Sequence, residues 1–342
     1  MAYIFDDDLE HIFLFTQEAL KKLKGKKLFI TGGTGFFGKW LLEGLLYANK
    51  KMDLHLSISV LSRYPEKFIE EFPHLKDIEF IKGDIRSFKY DGKFFDYIIH
   101  GATEASVSLN QEQPELMYDT IFQGTSNLLK YASACGVKKI LNISSGAVYG
   151  KQPSNILMIS EDQIGIPTDS AYEKGKKAAE FLLNSYSQQN KIEISSARCF
   201  AFIGPHLPLN SSFAVGNFIG NVLEGKDILV KGDGSALRSY LYASDLVIFL
   251  LNILVFGKDG AVYNVGSESA ISIKDLALEV ANFSQGLKVI ISQNLDQKNP
   301  DKIVERYVPS IKKIKSELNV DQKISLKTAI KKTINWHKGL NS

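Results

Sequence analysis

Cysteine is scarce in this chain: Cys135 and Cys199 are the only two among 342 residues. Two cysteines cannot build a disulfide framework, so a reducing compartment is the simple expectation. Long apolar runs are missing too, and none approaches the roughly 20 residues needed to span a bilayer. The opening residues, MAYIFDDDLEHIF, are acidic where a signal peptide would be basic. There is no basic block either. Net charge is +3 and the lysines and arginines are scattered, which argues against a nucleic-acid footprint. Repeats and low-complexity segments are absent. The expectation is a soluble, cytoplasmic protein with neither a membrane nor a nucleic acid as partner. What remains is ordinary globular composition, 44% hydrophobic and 23% charged. It suits one large α/β domain or a domain with an appended lobe.

Residues 5–24 carry Leu9, Ile12, Phe13, Leu20 and Leu23 at helical spacing. This predicts a leading amphipathic helix over 1–24. Packing on the main domain is the preferred reading, with an oligomer contact as the other. Apolar runs then alternate with helical stretches. The runs are Lys27–Thr31, Leu56–Leu61, Ile78–Ile81, Tyr97–His100, Lys139–Ser144 and Ile192–Arg198. The helical stretches lie near 37–49, 114–135 and 171–189. Such alternation predicts an α/β fold, a doubly wound parallel sheet covered on both faces. Beyond residue 200 the pattern loosens into short helices near 213–224, 244–256, 273–284 and 325–337, which suggests a smaller C-terminal lobe.

LFITGGTGFFGKWLLEGLL runs strand, loop, helix, with Gly32, Gly35 and Gly38 at intervals of three. Residues without a Cβ let the backbone approach a pyrophosphate, and the helix start offers free N–H groups and a positive dipole end. Thr34, Phe36 and Phe37 lie within the same loop. The next strand ends Val60-Leu61-Ser62-Arg63 and has no carboxylate for a ribose. Arg63 either pairs with a 2′-phosphate or stacks on the adenine, so the cofactor is NAD or NADP with a slight lean to NADP. Asp84, in Gly83-Asp84-Ile85-Arg86, is either an adenine partner or a plain turn aspartate. Tyr172 and Lys176, in SAYEKGKKAAE, share one helix face. A lysine ammonium, with the charge of an oxidised nicotinamide, favours a phenolate that can take a hydroxyl proton while hydride leaves the same carbon. Ser145, in SSGAVYG at a strand end, can orient the substrate oxygen.

TGGTGFFG, GDIR, HGAT, SSGAVYG, YEKGK, FIGPH, GDGSALRSYLYASD and YNVGS occur in this order, and the set covers about residues 26–338 with ERYVPSIKKIKSEL. In these the chain resembles the extended short-chain dehydrogenase/reductases, in particular the nucleotide-sugar epimerases, dehydratases and reductases. The resemblance implies a Rossmann domain over 25–200, with part of 240–265 returning to it. It implies a mainly substrate-binding lobe over 201–342 for an NDP-sugar. Ser145, Tyr172 and Lys176 become the catalytic group, and Lys176 also holds the nicotinamide ribose. Ser62, Ile85 and Ala102 join the cofactor side and Thr103 the substrate side. Arg238 falls where the family clamps the diphosphate. Asn217 and Arg306 match weaker nucleotide contacts. A homodimer through helices 114–135 and 171–189 is implied as well.

Departures narrow the chemistry. The family's 4,6-dehydratases carry Asp-Glu after the catalytic hydroxyl and its decarboxylases a Glu; here Gly146 and Ala147 stand there. Glu104 is a remote substitute. The family's usual asparagines are Ile121 and Ala201. His206 matches a catalytic acid of one family member, whose partner cysteine is Ala147 here; binding a phosphate or the loop backbone is the other reading. The expectation is hydride transfer at a sugar carbon, C4, by a C4 epimerase, with an NADPH-dependent 4-keto-sugar reductase as the alternative. A 4,6-dehydratase ranks lower. So does a non-catalytic dinucleotide sensor, because such proteins often lose the tyrosine–lysine pair.

Overall fold

A computed structural model describes residues 3–89, 91–103, 107–210, 213–292 and 304–339. The helices are α1 (Asp6–Leu23), α2 (Phe36–Met52), α3 (Pro65–Glu71), α4 (Val107–Glu112), α5 (Pro114–Cys135), α6 (Ala171–Gln189), α7 (Ala214–Leu223), α8 (Ala243–Phe256), α9 (Ile273–Ala281), α10 (Lys312–Leu318) and α11 (Leu326–His337). Six strands open the chain: β1 (Lys27–Thr31), β2 (Ser57–Ser62), β3 (Glu79–Lys82), β4 (Tyr97–His100), β5 (Lys139–Ser145) and β6 (Glu193–Cys199). Eight more follow: β7 (Phe202–Ile203), β8 (Ile228–Val230), β9 (Leu237–Arg238), β10 (Leu241–Tyr242), β11 (Val262–Val265), β12 (Ile271–Ser272), β13 (Val289–Ile291) and β14 (Arg306–Tyr307).

Seven strands form one parallel sheet in the order β11-β6-β5-β4-β1-β2-β3. Central β5 is buried at every residue because helices cover both faces. Strand order reverses between β1 and β4, and ligands of such sheets bind at that switch point. Three predicted strands, those opening at Leu56, Ile78 and Ile192, start one residue late, the first two for a local reason. The Leu56 backbone is held by the Asn49 amide through two 3.0 Å bonds. The Ile78 N–H is spent on the Leu75 carbonyl at 3.1 Å.

Helix α8 is buried all round from Ala243 to Leu254 and lies between the sheet and α1. The α1 helix docks through polar as well as apolar contacts. The Tyr242 hydroxyl donates to Asp8 at 2.7 Å, and His11 pairs with Asp245 at 3.0 Å. Asp8 is 1% exposed, so it depends on these partners and on Lys332 at 3.0 Å. The C-terminal segments make three small sheets: β10-β7, β12-β9-β14 and β13-β8. No helix among the described residues is long and apolar enough to cross a membrane.

Candidate active site

The glycine loop joins β1 to α2. Gly32 has φ +77°, and a Cβ on it would lie 2.4 Å from the Gly101 carbonyl oxygen. A Cβ on Gly38 would lie 2.2 Å from the Gly33 carbonyl, so this glycine lets the helix close on the loop. Gly35 is the N-cap of α2, with no side chain capping the helix and no acidic residue in its first turn. The N–H groups of Phe36, Phe37 and Gly38 therefore present an anion site. These features fit a dinucleotide pyrophosphate.

Beside the loop runs a buried hydrogen-bond chain. The Gly101 and Ala102 N–H groups donate to Thr31 Oγ1, each at 3.2 Å. Thr31 Oγ1 meets His100 Nδ1 at 2.9 Å, and His100 Nε2 meets Thr125 Oγ1 at 3.1 Å. Thr125 spends its own proton on the Ile121 carbonyl, 2.7 Å away. Donor counting then puts the His100 proton on Nε2 and the Thr31 proton toward Nδ1. Burial holds the imidazole neutral, down to about 3. The chain fixes the ends of β1 and β4, where Ala102 and half-buried Thr103 start the next loop. Glu104 lies outside the described residues.

Ser145 ends β5 and Tyr172 and Lys176 lie on α6. The structure brings the three together. Lys176 is 6% exposed, and its ammonium donates to the Ile143 carbonyl at 2.8 Å. It lies 5.9 Å from the Tyr172 ring centre. The Ser145 hydroxyl accepts from the Ala147 N–H at 3.1 Å and interacts with the Tyr172 phenol. The expectation that Lys176 lowers Tyr172 needs correction for the protein alone. Burial pushes the phenol above the ordinary tyrosine range, with Ser145 drawing it back. Burial likewise pulls Lys176 down to about 8. Desolvation is the largest influence on both groups, so Tyr172 here is a phenol, a proton donor.

A second phenol enters the site. Tyr307 is on β14, its ring 4.7 Å from that of Phe200, and its hydroxyl interacts with Ser145. A Cβ on Gly146 would lie 2.7 Å from the Tyr307 oxygen and 2.8 Å from the Phe200 ring. Sequence reasoning singled out Arg306 and missed its neighbour. Adjacent strand residues point to opposite faces, so Tyr307 and Arg306 cannot both face Ser145. The usable signal was the missing side chain at Gly146. On β9, paired with β14, Arg238 donates to the Leu237 carbonyl and to exposed Glu305. Its charge reaches Tyr307. The Lys176 charge reaches Cys199, but burial pushes its thiol up to about 12, so it is inert.

The other expected residues are placed less centrally. Ser62 is buried and accepts from the Tyr64 N–H at 3.2 Å. Exposed Arg63 has its guanidinium 5.9 Å from the Tyr64 ring centre, and its charge reaches Asp84. Asp84 grips Arg86 through bonds of 2.9 and 2.8 Å, which hold its carboxyl down to about 2. Its oxygens serve the turn first. Ile85 is buried against Gly124. Asn217 is half-buried on α7. His206, with φ +68°, has its ring 5.5 Å from Phe72 and 4.6 Å from Trp336. Burial holds it down to about 3, and the nearby Lys39 charge pushes the same way. It packs between these rings as a neutral imidazole.

Comparison with known proteins agrees with this geometry. The chain is 28% identical over 308 residues to UDP-glucuronic acid decarboxylase 6 of Arabidopsis thaliana, covering 89% of this chain and 86% of the relative. It is 28% identical over 332 residues to human dTDP-D-glucose 4,6-dehydratase, covering 92% and 90%. The solved structure of Pal from Bacillus thuringiensis superposes with a TM-score of 0.78 at 28% identity, covering 92% of this chain and 99% of that one. The profile of the NAD dependent epimerase/dehydratase family matches residues 28–266, and the chain belongs to that family.

Proposed function

We propose that the protein is a C4 epimerase of a nucleotide-linked sugar. The observation that carries this reading is the Ser145, Tyr172 and Lys176 group standing without a carboxyl group at residues 146 and 147. The decarboxylase and dehydratase relatives point to elimination or decarboxylation. In the family those reactions use a carboxyl at that place. Here the space over Gly146 is filled by the Tyr307 phenol and the Phe200 ring. Oxidation and reduction at one carbon need no such group.

Gly32, Gly35 and Gly38 would hold the pyrophosphate with the start of α2, and Lys176 the nicotinamide ribose. The bound dinucleotide supplies the hydride acceptor or donor and, when oxidised, a positive charge that favours the Tyr172 phenolate. Tyr172 Oη takes the C4 hydroxyl proton while Ser145 Oγ holds the same oxygen in line. The 4-keto sugar then presents its other face, and Tyr172 returns the proton. Arg238 exchanges exposed Glu305 for the substrate diphosphate, matching its fork of donors to the phosphate oxygens. The lobe over 201–342 shapes the sugar pocket. Copies of the chain pair through α5 and α6, covering Phe181, which is 76% exposed; light scattering after gel filtration checks this.

A panel of NDP-sugars in a thermal-shift assay tests the reading, since a bound substrate raises the unfolding midpoint. A hit that is then interconverted with its C4 epimer, with NAD retained through purification, supports it. A 4-keto-sugar reductase is the second reading, favoured by Arg63 at the end of β2 and by the lack of a carboxylate there. Net consumption of NADPH by a keto-sugar would select it.

A further inference from the structure

A line of buried polar contacts leaves α6 and ends beside the substrate strand β14. It starts one turn beyond Lys176. The Glu180 side chain, 9% exposed, accepts from the Ser144 hydroxyl on β5. It also accepts from Arg198 on β6, through Nε at 3.1 Å and Nη2 at 2.8 Å. The same guanidinium lies over the Tyr149 ring, 4.6 Å from its centre. Tyr149 closes the short turn Gly146–Tyr149 that follows Ser145, and its hydroxyl donates to Asn264 Oδ1 on β11 at 2.9 Å. Asn264 is fully buried. Its Nδ2 donates to the Ile159 carbonyl at 2.9 Å and to the Ser310 carbonyl at 3.1 Å. The Ser310 N–H donates to that same Ile159 carbonyl at 2.8 Å. Residues 308–310 continue directly from β14, where Tyr307 stands opposite Arg238 of β9.

Burying an ion pair costs in desolvation about what the attraction returns, so Arg198 and Glu180 add little stability. Apolar side chains would fill the same space without that cost. What the pair supplies is direction. A fork of donors meets a carboxylate in one plane, and a flat cation meets a ring across its face. We propose that Arg198 is a positioning residue that couples α6, with Tyr172 and Lys176, to the strand that backs Arg238. Glu180 holds the helix end of this coupling and Asn264 the strand end. The spacing between the proton-transfer pair and the diphosphate clamp is then fixed by a buried link that crosses the adjacent strands β5, β6 and β11. Its consequence for the reaction rests on the reading of Tyr172 as the proton-transfer group and Arg238 as the clamp.

The test is amide hydrogen exchange of the full chain without substrate, read by mass spectrometry. Arg198→Lys keeps a charge beside Glu180 but loses the fork and the flat face over Tyr149. Exchange in 307–311 and in 171–180 should speed up together by about fivefold, the worth of one hydrogen bond, with the glycine loop 31–38 unchanged. Exchange that rises everywhere alike, or nowhere beyond β6, marks a merely structural pair and overturns the inference. Tyr149→Phe serves if Arg198→Lys does not fold, because it keeps the ring and removes one hydroxyl. It too should speed exchange in 307–311, and unmoved protection there overturns the inference equally. Kinetics on the nucleotide sugar that the thermal-shift panel selects then separate the two ends. Ser144→Ala, at the helix end, should lower kcat about fivefold with KM unchanged. Tyr149→Phe, at the strand end, should raise KM about fivefold with kcat unchanged. Failure of the underlying reading looks different: Tyr172→Phe would keep full turnover while the exchange result stood.

Discussion

The dinucleotide end of the site is carried by parallel strands of four to seven residues, the substrate end by strands of two. At the first end the chemistry is local. The turn, the three glycines and the helix start all lie within residues 31–38, and Gly32 and Gly38 each have a steric reason visible in their neighbours. At the second end, Arg238 and Tyr307 meet only because β9 and β14 pair across a long stretch of chain. Local geometry makes the cofactor half of the site rigid and easy to recognise. Long-range pairing makes the substrate half the place where specificity can change.

The largest contrast between the halves should come from chemistry itself. Tyr172→Phe is expected to lower kcat by about a thousandfold with KM little changed, the range for removal of a general acid–base group; steady-state kinetics on the panel's substrate checks it. Next comes the cofactor half. Gly38→Ala drives a Cβ to 2.2 Å from the Gly33 carbonyl, where backbone has to move. It should cost about 3 kcal/mol of stability and weaken dinucleotide binding, read by denaturant unfolding and calorimetry. The substrate half should respond in affinity alone. Arg238→Ala is expected to raise KM for the nucleotide sugar by about 10- to 100-fold, the loss of a charge-assisted bond, with cofactor affinity unchanged. Acid should act on both halves through the folded state. His100 and His206 are held neutral down to about 3 against an ordinary 6.5. The unfolded chain binds their protons first, so stability present above pH 6.5 is lost as pH falls toward 3. The slope is about 1 kcal/mol per pH unit for each histidine, and unfolding midpoints across pH measure it.

The same contrast explains what was legible before the structure. Lys27–Thr31 and Tyr97–His100 were bounded correctly because buried apolar residues and flanking glycines mark such strands. The Tyr172–Lys176 pair was legible because helical spacing places both on one face. Tyr307 was not, since nothing near it in sequence announces Ser145. The packing of His206 was not legible either, because its neighbours Phe72 and Trp336 come from segments more than a hundred residues away on either side. Asp84 looked available because its partner Arg86, two residues on, reads as an ordinary turn residue until the bidentate geometry is seen. Titration was the least legible of all. Burial is the largest influence on both Tyr172 and Lys176, and sequence spacing carries no burial.

The most direct test of the central claim is to run the reaction in deuterium oxide and weigh the sugar product. Epimerisation returns the same hydrogen to C4, so the account predicts no deuterium bound to carbon. Dehydration or decarboxylation draws a new carbon-bound hydrogen from solvent. A product carrying one carbon-bound deuterium would contradict the account, and would mean that some other residue supplies the carboxyl chemistry that Gly146 and Ala147 lack.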